Sequence, residues 1–216
     1  MKSTNKTKVK RAPKRGFYDI ETVNSILDAN FICQIAFIHE SYPVIIPTIY
    51  GRKGKNIFFH GANVSRMLLE LEKGFPISVN VTQTDGIVLA RSAFHHSLNY
   101  QSVILFGEAI LVVDDEERIA ALEIISNQVI PNRWEEVRFP NEKELKATKI
   151  FKIPISEASA KIRTGPPIDE KSDYDLPIWA GIIPMNTIFG KPIADPLQKE
   201  ERPIPQSVKN LIKNMK

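Results

Sequence analysis

Ser65 and Arg66 are the residues whose types and spacing most clearly suggest chemistry. They follow the apolar strand-like run Phe58-Phe59-His60-Gly61, and Asn63 is predicted to cap the helix that begins there. Free backbone N–H groups at a helix start attract phosphate, while a hydroxyl and a guanidinium add a directional donor and a positive charge. The segment therefore predicts a site for a phosphate monoester. The alternative for the same two side chains is a solvated or capping role.

A second cluster consists of His95 and His96, with Tyr100 four residues beyond the second histidine. Imidazole can give or accept a proton near neutral pH, so both histidines are candidates for general acid–base catalysis. If they lie on a strand, adjacent residues point to opposite faces and only one can face a given site. A metal site is not expected here, since three or four converging ligands are usually required. A hydrogen-bonded loop histidine is the alternative for each.

Two later residues could also serve a site. Arg163 precedes the stiff turn Thr164-Gly165-Pro166-Pro167, from which it could reach an anionic substrate or a neighbouring subunit, although a structural ion pair is an equal alternative. Trp179, close to Gly181, could cover a bound ring or simply seal the core.

The elements that position these residues are predicted to be mainly antiparallel β-strands. Short β-branched and aromatic runs alternate with turn signals, which favours hairpins over βαβ units. The predicted strands are Phe31–His39, Val44–Gly51, Asn56–His60, Ile77–Thr82, Ile87–Ala93, Gln101–Val113, Thr148–Ile155 and Ala160–Thr164. Thr84-Asp85-Gly86 is interpreted as a hairpin turn, and Pro154 predicts that its strand lies at a sheet edge. Helices are predicted around Val64–Leu71, from Asp114 to before Pro131, and from Asn141.

Length and composition indicate one globular domain with tails. We expect a flexible basic arm at residues 1–15, a domain at 16–189 and an extended proline-rich tail at 190–216. Residues 1–15 hold seven of the 29 Lys and Arg residues and no acid, so the net charge of +4 resides in the arm and nucleic-acid binding is not favoured. Neither a membrane span nor a signal peptide is expected, and the single Cys33 is expected in the core, which together indicate a cytoplasmic protein.

Nearly the whole sequence resembles the pyridoxamine 5′-phosphate oxidase-like, FMN-binding split-barrel family, in the branch related to nitroimidazole-resistance proteins. Matching segments occur along the chain rather than at one motif. They include Arg15-Gly16-Phe17-Tyr18-Asp19, Ile46-Pro47-Thr48-Ile49-Tyr50, His60-Gly61, Ser65-Arg66, Ala90-Arg91-Ser92-Ala93-Phe94-His95-His96, Lys143-Glu144-Leu145-Lys146, Ser159–Pro167 and Trp179-Ala180-Gly181. The resemblance implies an antiparallel split β-barrel.

The resemblance also implies a homodimer with FMN at the subunit interface, and FAD is less expected. Ser65 and Arg66 match the family's phosphate-binding pair. Around the flavin, the resemblance places a larger set of residues: Ile46, Pro47, Thr48 and Tyr50 beside the ring, His60 and Gly61 near the phosphate or ribityl chain, Ser92 on the next strand, and Trp179 as a late aromatic contact.

The sequence departs from the vitamin-synthesising oxidases at Met67, where those enzymes commonly carry lysine, and it lacks their arginine-rich C-terminal segment. The expected function is therefore an FMN-dependent oxidoreductase acting on a small aromatic, nitro or quinone-like molecule. His95 or His96 would assist proton transfer, while Tyr100 and Arg163 would bind the substrate. The alternative is a non-catalytic flavin carrier or sensor, or a heme-binding split-barrel protein.

Overall fold

Two antiparallel sheets build the protein, for which a computed structural model describes residues 1–213. The strands are β1 (Gly16–Phe17), β2 (Ile32–His39), β3 (Tyr42–Ile49), β4 (Gly51–Lys53), β5 (Asn56–Ala62), β6 (Ile77–Leu89), β7 (Ser97–Gly107), β8 (Ile110–Leu111), β9 (Thr148–Pro154), β10 (Glu157–Arg163) and β11 (Gly181–Pro184). The larger sheet has the order β1-β10-β7-β6-β2-β3, with β11 added to β6, and the smaller has the order β4-β5-β9-β8. The predicted mainly antiparallel architecture is confirmed.

Five α-helices connect or cover these sheets within residues 1–213. They are α1 (Ile20–Asp28), α2 (Arg66–Leu71), α3 (Asp115–Val129), α4 (Glu142–Lys146) and α5 (Gln206–Lys213). The predicted capping box of α4 is present, with Asn141 and Glu144 each accepting the other's backbone N–H. Helix α1 begins at an N-cap, Asp19, whose carboxylate accepts the N–H of Thr22 at 2.7 Å, and was not predicted.

The main core lies between the sheets and includes the stacked rings of Phe59 and Phe151, whose centroids are 6.0 Å apart. Cys33 is completely buried there, as predicted, and burial raises the pKa of its thiol to about 12. A second, smaller apolar cluster lies between the other face of β5 and helix α3, and contains Phe58 and Ile125. Strand β5 is therefore covered on both faces, which explains its continuous apolar sequence.

Two predictions about turns and edges are wrong. Residues Thr84–Gly86 do not form a hairpin, because β6 continues through them. The register between β6 and β7 shifts there, and the extra residue forms a β-bulge. The carboxylate of Asp85 accepts the side-chain amides of Gln83 and Gln101, which holds the bulge. Pro154 does not mark an edge strand, because β9 lies between β5 and β8 and the proline is its terminal residue.

Both terminal segments contact the domain. In the N-terminal segment, the Thr4 hydroxyl donates to Glu157 at 2.6 Å and Thr7 is buried. In the segment predicted as an extended tail, α5 docks where the Ser207 N–H donates to Glu136 at 3.1 Å. Residues 214–216 of that tail lie outside the described residues. No helix in the described part of the chain is long and apolar enough to cross a bilayer.

Candidate functional site

Strand β3 is the last strand of the larger sheet, so one edge of its backbone has no partner strand in the described structure. Pro47 and Ile49 point outward, whereas Ile46 and Thr48 are half-buried and Ile46 packs against the core. Such an edge can bond the polar rim of a planar ligand while outward side chains contact its face. Three of the sequence-predicted ring contacts, Ile46, Pro47 and Thr48, therefore lie on one accessible strand.

Tyr50 is the exception among the predicted ring contacts. Its side chain is completely buried and its hydroxyl donates to the carbonyl of Leu27 at 2.6 Å. Burial raises the pKa of Tyr50, so the phenol remains protonated. The structure thus gives Tyr50 a place in the core that joins β3 to α1, not a place on the exposed strand face.

Ser65 and Arg66 lie where β5 ends and α2 begins. Ser65, not Asn63, is the N-cap, and its hydroxyl makes no capping hydrogen bond. Arg66 is exposed and makes no hydrogen bond or ion pair within residues 1–213. Because α2 has only six residues, the anion affinity of this corner depends on these two side chains rather than on a helix dipole. Both remain available to a phosphate.

Gly61 permits the close approach of α2 to β5. A Cβ atom added at Gly61 would lie 3.1 Å from Cδ1 of the buried Leu68. Its neighbour His60 points to the opposite side of β5, toward α3, where it lines an apolar cavity. The two adjacent predicted residues therefore serve different sides of the strand.

The two candidate histidines lie at a 3-10 turn, Ala93–His95, rather than on a strand. Nδ1 of His96 accepts the backbone N–H of Ala90 at 3.0 Å, which fixes the neutral tautomer with its proton on Nε2. His95 Nε2 lies 3.9 Å from a carboxylate oxygen of Glu170. His96 is thus oriented with a single N–H available to donate outward.

Ser92, the predicted contact from the next strand, caps this turn by accepting the N–H of Phe94 at 3.3 Å. The backbone N–H groups of Arg91 and Ser92 both donate to Asp169, whose side chain has no exposed area. Phe94 is 89% exposed. The turn therefore has a fixed base and presents an aromatic ring to its surroundings.

Arg163 has a structural place in the fold. It is buried, donates to Asn99 on β7, and reaches the carbonyls of Gly165 at 3.0 Å and Pro166 at 3.1 Å. Desolvation lowers the pKa of its guanidinium. These contacts hold the 163–167 turn, and the unpaired Nε atom is buried, so it is not exposed to a substrate. Tyr100, the other predicted substrate contact, pairs with Arg163 across the strands and is half-buried.

Trp179 is 67% exposed, so it does not seal the core. Its ring lies over Gly181, where an added Cβ would approach the ring to 2.9 Å. The glycine thus lets the indole lie against the start of β11. Of the two predicted roles, a surface contact with a ring or partner is the one consistent with this position.

The pyridoxamine 5′-phosphate oxidase family model matches residues 19–162, which include β2 to β9 and the Ser65–Arg66 corner. The chain belongs to the pyridoxamine 5′-phosphate oxidase family. Among curated proteins, none matches it.

Solved structures extend this family assignment to the whole fold. The flavocytochrome Anf3 from Azotobacter vinelandii is 36% identical, with a TM-score of 0.91 over 96% of this chain and 97% of that one. The FAD and heme binding protein from Mycobacterium smegmatis is 32% identical, with a TM-score of 0.87 over 91% of this chain and 97% of that one. An FAD-binding protein from Mesorhizobium loti shares the fold at 17% identity, with a TM-score of 0.51 over 69% and 98% of the two chains. The predicted split-barrel fold is confirmed.

Sequence reasoning within this oxidase family missed two positions that shape the site. Asp169 anchors the histidine turn from a distant loop, and its only sequence signal is an acid soon after the Pro166-Pro167 pair. Arg133 lines the same cavity as His60 and carried no local signal. The described residues hold no cluster of three side chains suited to a metal ion.

Proposed function

We propose that this protein is a homodimeric flavin-dependent redox protein that also carries heme and reduces a small aromatic, nitro or quinone-like acceptor. The observation that supports it best is the unpaired edge of β3 lying in the same barrel as two uncommitted phosphate ligands, Ser65 and Arg66. A strand edge for the ring and a hydroxyl–guanidinium pair for the phosphate are the two groups that a flavin nucleotide needs.

FAD is the flavin that we favour. A Ser–Arg pair suits a terminal phosphate and led to the prediction of FMN. However, the 32% identical protein, which matches 91% of this chain, is named for FAD and heme. A diphosphate can use the same pair, so the side chains do not distinguish the two nucleotides.

A bound flavin would supply the two-electron redox chemistry, and the chain would supply binding, orientation and hydrogen bonding. Arg66 and Ser65 hold the phosphate by charge-assisted hydrogen bonds. The β3 backbone around Pro47 and Thr48 orients the ring edge, because a proline-containing strand is rigid there. His96 would donate a hydrogen bond from Nε2 to the acceptor, since Nδ1 is occupied by Ala90 N–H, and the proton that the reduced acceptor takes up would come from solvent.

The homodimer is supported by apolar surface that a monomer leaves exposed. Ile38 on β2 and Ile45 on β3 lie on the same face of their hairpin and are 56% and 66% exposed. Such a patch on an outermost strand favours association with a second copy. Because it adjoins Pro47, the partner would also cover the proposed flavin.

The heme component is supported by the names of two solved structures that are 36% and 32% identical to this chain. It is also supported by an apolar cavity that is lined by His60. A flavin carrier without turnover is the second candidate, favoured by the structural engagement of Arg163.

The absorption spectrum of the purified protein tests this function. We expect flavin bands near about 370 and 450 nm and a heme Soret band near about 410 nm. Chromatography of the released nucleotide separates FAD from FMN. Anaerobic reduction with dithionite followed by menadione should reoxidise the flavin if the protein is a reductase. A flavin that menadione leaves reduced supports the carrier, and a protein that takes up no added flavin contradicts the proposal.

A further inference from the structure

An apolar cavity of about 350 Å³ lies between the smaller sheet and α3. Its walls are formed mainly by aliphatic and aromatic side chains: Ile49, Leu122, Ile125, Val129, Ile130 and Trp134. A second cavity of about 240 Å³ adjoins it and shares His60, Leu122, Trp134 and Pro140. Cavities of roughly 300–1,000 Å³ with apolar walls and a few polar groups are typical small-molecule sites.

His60 lines both cavities. Its Nδ1 atom is buried and has no hydrogen-bond partner in the described structure. Buried polar atoms are almost always paired, so an unpaired imidazole nitrogen beside an apolar cavity indicates a partner that the described residues do not supply. Imidazole nitrogen is the commonest protein ligand for metal ions.

One of the two arginines that line these cavities is available for a ligand. Arg138 donates to both oxygens of Glu144, at 2.7 and 2.9 Å, and this pairing holds the pKa of Glu144 at about 2. Arg133 makes only one longer contact, at 3.3 Å, with Glu136. Glu136 also accepts the N–H and hydroxyl of Ser207. Arg133 can therefore turn to another carboxylate without leaving Glu136 unpaired.

We propose that this cavity is the heme site, in which His60 would bind the iron and Arg133 would pair with a heme propionate. This assignment rests on the heme component of the proposed function. An imidazole with an unpaired nitrogen, apolar walls and the guanidinium of Arg133 in the lining match the iron, the macrocycle and a carboxylate of a heme. The β3 residue in the wall, Ile49, is adjacent to Thr48, so the site lies next to the proposed flavin strand.

The test uses the full-length protein freed of heme and titrated with hemin, followed by the Soret band. We expect His60→Gly to weaken hemin binding by at least about tenfold and to shift the Soret band. Added imidazole should restore the band, because it can occupy the space left by the side chain. His39→Ala is the control, since His39 pairs with Glu70 at 2.7 Å beside α2 and should leave the spectrum unchanged.

Two arginine variants that remove the same charge test the role of Arg133. Arg133→Gln should weaken hemin binding about threefold to tenfold without moving the Soret band, whereas Arg202→Gln, on the exposed C-terminal segment, should have no effect. If His60→Gly proves unstable, His60→Gln keeps the side-chain volume and should give the same loss.

The outcomes separate the site from the function. A wild-type protein that binds no hemin would remove the heme component of the proposed function and this site with it. A wild-type protein that binds hemin, with unchanged affinity and spectrum in both His60 variants, would leave the function standing and place the heme elsewhere.

Discussion

The buried carboxylate of Asp169 accepts the backbone N–H of Arg91 at 3.0 Å and its guanidinium at 3.2 Å. The N–H of Ser92 adds a third hydrogen bond at 3.3 Å. Desolvation pushes the pKa of Asp169 upward, but these hydrogen bonds outweigh it and hold the pKa below its ordinary value. One carboxylate therefore anchors the turn that presents His95 and His96.

Replacing Asp169 should loosen this turn. Asp169→Asn removes the charge that three donors share, so we expect the melting temperature at pH 7 to fall by several degrees. The pKa of Asp169 is lower in the folded state than in the unfolded state. The extra stability of the wild-type protein over the variant is therefore complete above the unfolded pKa of about 3.9, and it is lost as the pH falls through the lower folded pKa. Thermal unfolding between pH 7 and pH 3 measures this. Asp175→Asn, an exposed neighbour, is the control.

The contact between His96 and Ala90 lets hydrogen-bond donation from Nε2 be separated from folding. In His96→Asn, the side-chain carbonyl can accept the Ala90 N–H as Nδ1 does, while the Nε2 donor is lost. We expect wild-type stability but about 100-fold slower oxidation of the reduced protein by menadione in stopped-flow measurements. His96→Ala should lower both the stability and the rate of oxidation by menadione. A wild-type rate in His96→Asn would remove His96 from the mechanism.

Arg66 should control flavin affinity. Arg66→Gln removes an uncommitted cation, so the flavin dissociation constant should rise by about 10- to 100-fold, as expected for a charge-assisted hydrogen bond. Quenching of flavin fluorescence measures it. Arg202→Gln removes the same charge from the exposed C-terminal segment and should leave the constant unchanged. Equal affinities in both variants would show that the phosphate lies elsewhere.

The sequence predicted those features that depend on residues close together in the chain. Capping chemistry placed the start of α4, where Asn141 and Glu144 form the predicted capping box. The Ser65–Arg66 phosphate site stays a prediction, and it could be made because its two candidate ligands are adjacent in the chain. In each case the interacting groups lie within one element or one turn.

The remaining features depend on contacts between distant segments. Asp169 and Arg91 are hydrogen-bonded although they are 78 positions apart in the sequence. The residues around either one give no indication that the other is its partner. The cavity beside His60 forms where α3 packs against β5. The hydrophobic pattern within either element does not predict how the two elements pack together. Asp85 was assigned to a turn because its residue type favours turns, whereas paired strands on both sides override that preference.

The exposed patch on β2 and β3 should be a dimer contact. Ile45→Glu introduces a charge at an outward position of the edge strand, so it should convert a dimer into a monomer and reduce flavin retention at low protein concentration. Light scattering coupled to size exclusion gives the mass. Ile193→Glu is the control, at a side chain that is 95% exposed in the C-terminal segment. A wild-type monomer that retains its flavin would contradict the interfacial site.

Gly51 sets the distance between β4 and α3, and through it the depth of the cavity at His60. A Cβ atom at Gly51 would lie 2.7 Å from backbone atoms of Ile124 and Ile125, which cannot rotate away. Gly51→Ala should therefore displace α3, lower the free energy of unfolding by about 1–3 kcal/mol and weaken hemin uptake. Urea denaturation gives the first quantity, and a Soret titration gives the second. Gly190→Ala, where nothing lies within contact distance, should change neither. Loss of stability with unchanged hemin affinity would separate the packing of α3 from the heme site.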